Sequence, residues 1–148
     1  MNLVHLKDGI HTNMYVYQII ILFQFNYGNT NKERLVVMAE WKEVYLSEDY
    51  VVSNEGEVAR VKDGLVLKQY PQKSGYVNVW LRLPWGNKSF PVHRLVCIAF
   101  HGIEGYKQGL FVDHIDTNRA NNHADNLRWV TPKENSNNPL TLAKRSRK

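Results

Sequence analysis

One cysteine, Cys97, stands in 148 residues, which excludes an internal disulfide framework and any zinc site built on Cys-x-x-Cys pairs. The cytoplasm is the expected compartment. Long apolar runs are missing as well. The run from Tyr15 to Phe25 is about 11 residues long and holds Gln18 and Gln24, short of the roughly 20 that a membrane-spanning helix needs. No basic segment leads directly into it and no small-residue cleavage site succeeds it, so neither a membrane association nor a signal peptide is expected. There is also no aromatic RNP pattern and no GXXG loop, the usual marks of RNA-binding modules. The composition that remains is globular: 43% hydrophobic and 22% charged residues fit one soluble domain and exclude wholesale disorder.

Charge is distributed unevenly. The net +5 resides largely in residues 139–148, which carry four basic groups and no acid. Within the rest, residues 38–59 set one Lys against six acids, whereas residues 60–100 set seven basic groups against Asp63. Such segregation marks either a face for a polyanion or a solvated strand face. Residues 1–37 pattern less cleanly than residues 38–138, and the functional protein is expected to start at Met38, with 1–37 an extension.

From Tyr50 the chain alternates strand patterns with turn chemistry. Tyr50 to Ser53 and Glu57 to Val61 flank Asn54-Glu55-Gly56, a hairpin whose glycine supplies the positive φ. Leu65 to Tyr70, then Tyr76 to Leu83 with period-two alternation, then Ser89 to Val92 after Pro84-Trp85-Gly86-Asn87, extend a meander over 50–92. His93 to Phe100 then places Val92, Leu95, Val96, Ala99 and Phe100 on one helical face. Cys97 is expected to be a passive occupant of that helix. Trp41, Trp80 and Trp129 are assigned to the core, and His93 to local packing or capping.

Phe111 to Ile115 and Leu127 to Thr131 read as two further strands, separated by an Asn- and Asp-rich loop whose side chains bond their own backbone. Thr131-Pro132-Lys133-Glu134 then reads as a helix start: Thr131 as N-cap, Pro132 at the first helical position, Glu134 completing a capping box. The fourth helical position, often apolar, is Asn135.

These segments, "DHIDTNRANN" followed by "DNLRWVTPKEN", resemble the active-site half of phage intron-encoded HNH homing endonucleases. "WKEVYLSEDYVVSNEGEVARV" and "VHRLVCIAF" are similar to the segments that precede it in that group. The resemblance runs from about Trp41 to Asn138 and is nearest to members that nick one strand of a duplex. It implies an α+β fold: an antiparallel β meander followed by a ββα-metal (HNH) unit, with a β-rich DNA-binding segment at 38–92, a helix plus catalytic unit at 93–138 and a basic tail at 139–148. It also makes His114 the first letter of the motif and Asn126 the second. Asn135 stands where many members carry the final histidine, and Asp113 completes the site.

The residue chemistry agrees with that carry-over. Phosphodiester hydrolysis needs a base to activate water and a cation to stabilise charge on the phosphate. A histidine at a strand end, with an unperturbed pKa near 6.5, suits the base role, so His114 is assigned to it. Asp113 and Asn135 offer hard oxygen ligands, which suit Mg²⁺ or Mn²⁺ rather than zinc. Asn126 is expected to tie the loop to the backbone that presents His114. Arg119 is a candidate for the scissile phosphate, against a solvated loop charge. Lys62, Lys68, Lys73, Arg82 and Lys88, on the meander, are the expected contacts to double-stranded DNA, bound by a monomer.

Homing enzymes of this group usually continue past the ββα unit into helices and a helix-turn-helix module. Here that place is taken by Lys144-Arg145-Ser146-Arg147-Lys148, a segment able to contact phosphates but not to read base edges. Two forms fit: a truncated or decayed homing nuclease, or a short-form phage nuclease relying on its sheet for DNA contact. A non-catalytic DNA-binding remnant is the rival reading, and it is weakened by the joint presence of Asp113, His114 and Asn135.

Overall fold

In the computed structural model, which describes residues 39–137 and Leu142, period-two patterning is converted directly into sheet faces. Val77, Val79, Leu81 and Leu83 are buried while Trp80 and Arg82 between them are exposed, along strand β5 (Val77–Leu83). This is the strand alternation that places i and i+2 on one side. The candidate extension 1–37 and the basic tail, Leu142 aside, lie outside the described residues.

The expected meander is realised as two three-stranded antiparallel sheets. The first, in the order β1-β2-β3, comprises β1 (Trp41–Val44), β2 (Ser47–Ser53) and β3 (Val58–Arg60). The second comprises β4 (Gln69–Pro71), β5 and β6 (Gly86–Pro91). Strand β4 is shorter and later than the Leu65 to Tyr70 pattern suggests. Its first half is instead captured by β3: Val66 bridges Ala59, and Leu67 N donates to Val58 O at 2.8 Å. The Pro84-Trp85 turn is tight, since Leu83 already pairs with Gly86.

Helix α1 (Val92–His101) succeeds β6 without a side-chain N-cap bond, because Pro91 occupies the cap position. Its apolar face carries Val92, Leu95 and Val96 into a core shared with Tyr50, Val52, Val58, Val79 and Leu81. Each such aliphatic side chain contributes about 1.5–3 kcal/mol when fully buried. Cys97 is buried and free, and burial pushes its thiol up to about 12. A short helix α2 (Glu104–Lys107), which the sequence pattern does not announce, leads to the last sheet: β7 (Phe111–His114) paired antiparallel with β8 (Leu127–Val130). Helix α3 (Pro132–Ser136) closes the described segment and packs on both strands. Among the described residues no helix is long and apolar enough to cross a membrane.

Candidate active site

The last two strands pair Asp113 with Arg128 and His114 with Leu127. Cross-strand partners share a face, and Arg128 accordingly donates through Nη2 and Nε to Asp113 Oδ2 at 2.8 and 3.1 Å. The carboxylate is buried and held by a guanidinium that is half exposed. A buried carboxylate without such a partner would be strongly destabilising.

His114 is buried at the end of β7, and its Nε2 lies 3.1 Å from Oδ1 of the equally buried Asn122. An amide oxygen only accepts, so Nε2 is the donor in this contact; in the neutral ring that leaves the lone pair on Nδ1, the tautomer a general base needs. Asn122 itself is seated by the first hairpin. A Cβ on Gly56, whose φ is +88°, would fall 2.9 Å from Asn122 Cβ, and Ala124 N donates to Asn54 O at 2.7 Å.

The loop between the strands is self-bonded, as its composition suggests. Asn126 accepts from Asp116 N (3.0 Å) and donates to Asp116 Oδ1 and to Asn121 O (2.9 and 2.8 Å). Burial pushes the Asp116 carboxyl up, but donors from Asn121, the Asn118 backbone and Asn126 outweigh it and hold it below the usual range. Thr117 takes φ +63°, a left-handed conformation uncommon for a β-branched residue.

Helix α3 starts as the capping box dictates. Glu134 N donates to Thr131 Oγ1 and Thr131 N to Glu134 Oε2, at 3.2 and 2.8 Å. These donors from Thr131, backbone first and hydroxyl second, hold the Glu134 carboxyl below its usual range. Asn135 is half-buried in a helix otherwise exposed, and it lines a cleft of about 570 Å³ with Tyr76, His93, Arg94 and Phe111. Asp113 and His114 are not among the residues lining that cleft; Asp113 and Asn135 each carry an oxygen donor of the kind a hard divalent cation takes. No group of three or more His, Cys, Asp or Glu among the described residues is arranged for a metal.

Several other residues sit differently from their expected places. Arg119 is not a free loop charge: its guanidinium lies 4.8 Å from the Tyr76 ring centroid, and Nη1 donates to Ser74 O at 2.7 Å. Trp41 is buried and Trp129 packs against the core, but Trp80 is 56% exposed. Alternation puts Trp80 on the outer face with Arg82, beside a cleft shared with Arg60 and Lys62. Lys88 pairs with Leu81, which puts it on the opposite face of the sheet from Arg82, so the five expected basic contacts do not form one surface. Lys68 lies over Tyr70, 5.5 Å from its centroid, and Lys73 sits in the Gln72–Tyr76 turn beside Ser74. Sequence reasoning missed Asn122 and Arg128 as partners, and undervalued His93. That ring is buried, and burial, with the charges of His114 and Arg94, pushes its pKa down to about 3.

Residues 90–137 match the family model described as HNH endonuclease. The chain is 48% identical over 103 residues to the DNA endonuclease I-HmuI of Bacillus phage SP01, covering 69% of this chain and 58% of that protein. Over these residues the chain is similar to the HNH endonucleases, and it spans less than two thirds of the length of the relatives it matches. Over 51 residues it is also 51% identical to the SPbeta prophage-derived putative HNH homing endonuclease YosQ of Bacillus subtilis, covering 34% of this chain and 28% of the relative. A solved structure of the HNH homing endonuclease I-HmuI, which shows DNA binding and cleavage by that protein, superposes with a TM-score of 0.61 at 46% identity. It covers 70% of this chain, which spans 59% of that structure. The HNH match takes in α1, both strands of the last sheet, the loop and α3, so it includes His93 as well as the motif positions.

Proposed function

We propose that this chain is a divalent-metal-dependent DNA endonuclease that hydrolyses a phosphodiester bond, nicking one strand of a duplex. The observation that carries the reading is the state of His114: a strand-end imidazole with Nε2 committed to Asn122, and hence a basic Nδ1, with Asp113 beside it in the chain. In this reading Nδ1 of His114 takes the proton from the attacking water. Asp113, anchored by Arg128, and Asn135, presented by α3, would hold Mg²⁺ or Mn²⁺; when bound, such an ion supplies charge neutralisation at the phosphate. Asn126 keeps the loop closed behind His114, and Arg119 acts on the site through Tyr76 and Ser74.

Double-stranded DNA is the proposed partner, contacted on the outer face of the second sheet around Lys62, Trp80 and Arg82. The protein would act as a monomer in the cytoplasm, that of the host cell if it is phage-encoded. A non-catalytic DNA-binding remnant is the alternative, and the intact Asp113, His114 and Asn135 set speaks against it. The test is conversion of supercoiled plasmid to open circle by the full chain. Nicking in Mg²⁺ that EDTA abolishes supports the enzyme, whereas binding without nicking in either Mg²⁺ or Mn²⁺ supports the remnant.

A further inference from the structure

The bond at Nε2 does not fix the His114 ring. An imidazole pinned at Cβ and at Nε2 still turns about the line joining those atoms, and that turn swings Nδ1. The groups standing against the ring are aromatic and come from other elements. His93, in the first turn of α1, meets it edge to face, with centroids 5.2 Å apart and planes at 63°. Tyr76, just ahead of β5, lies 6.0 Å from His114 and 4.8 Å from His93. Arg119 reaches back from the loop to lie over Tyr76 and bond Ser74 O. Loop, hairpin, helix and strand are thereby joined through one stack.

His93 contributes to this stack by shape. Its Nδ1 is buried with no hydrogen-bond partner among the described residues, so that nitrogen adds no hydrogen bond to the stack. The ring is neutral near pH 7, with a pKa pushed down to about 3 by burial and by the charges of His114 and Arg94.

We propose that His93, backed by Tyr76 and Arg119, is a positioning residue that sets the ring plane of His114 and so the direction of its Nδ1. The catalytic consequence rests on the reading of His114 as general base; the packing itself does not. Misplacement of a reacting group by about 1 Å costs on the order of 10²-fold in rate, so a loosened His114 should show first in turnover.

The experiment is single-turnover nicking of a duplex in Mg²⁺ by the full chain, with DNA affinity measured alongside and the His114 ring signals followed by NMR. His93→Ala should lower the cleavage rate about 10–100-fold while DNA affinity stays put, and should broaden or split the His114 signals. His93→Phe, which restores a ring without the unpaired nitrogen, should recover most of that rate and a single sharp signal. Tyr76→Leu should produce a smaller loss of the same kind, and it decides the matter if His93→Ala does not fold. A parental rate in His93→Ala, or a His93→Phe protein as slow as the alanine variant, would overturn the proposal. If the parent itself does not nick, the nuclease reading falls. The His114 signals then decide the packing alone: one sharp resonance in His93→Ala would overturn the positioning role.

Discussion

Thr117 holds φ +63° beyond the end of β7, where an L-residue is penalised by roughly 1–2 kcal/mol. His93 gives the pH dependence. Its folded pKa lies near about 3, below the roughly 6.5 of the unfolded chain. Below pH 6.5 the unfolded state binds the proton first, so this contribution is whole above 6.5 and declines as pH falls toward 3. The slope approaches about 1.4 kcal/mol per pH unit, and urea midpoints between pH 7 and 5 should fall less in His93→Phe than in the parent. Asn135 separates packing from chemistry. Asn135→Asp keeps an oxygen and should retain measurable cleavage, whereas Asn135→Leu fills the staple position, should hold or raise helix stability, and should abolish nicking. At this scale His114, Asp113 and Asn135 stand out in the sequence because the proposed chemistry is tied to residue type and to a local pattern. The sequence did not reveal Asn122 or Arg128 as partners. Their pairing depends on the path of the loop and on the strand register, which local patterning does not encode.

Two glycines test how the elements are joined. A Cβ at Gly56 would meet Asn122 at 2.9 Å on a backbone with φ +88°, and one at Gly105 would overlap the Trp129 ring. Strain and overpacking of this kind cost on the order of 1–3 kcal/mol. Gly56→Ala and Gly105→Ala should both lower the melting temperature. Only Gly56→Ala should also disturb His114, since it displaces Asn122; NMR of the His114 ring distinguishes the two. The helices α1 and α3 were legible from their apolar face and capping box, and β5 from its alternation. Alternation alone does not say which face is inward, which is why Trp80 reads as core and is found outside with Arg82. Strand β4 was misplaced because residues 65–67 bond to β3 instead, a competition between two sheets that no local pattern reports.

For the whole molecule, DNA meeting the outer face of the second sheet should engage Lys62 and Arg82 and leave Lys88 untouched. Removing each phosphate contact should lower the slope of log affinity against log salt by about 0.9, so Lys62→Ala with Arg82→Ala should flatten that slope and Lys88→Ala should leave it unchanged. Equal effects from all three would place the DNA along the sheet edge instead. The division of labour at the site is tested most directly by the single-turnover rate of duplex nicking as Mg²⁺ is raised, for the parent, Asp113→Ala and His114→Ala. The parent should saturate with metal and be silenced by EDTA. Asp113→Ala should be slow at low Mg²⁺ and partly recover at high Mg²⁺ or in Mn²⁺. His114→Ala should need no more metal than the parent yet stay about 10²–10⁴-fold slower. A His114→Ala chain that cuts at the parental rate, or one that excess metal rescues, would contradict its assignment as the base.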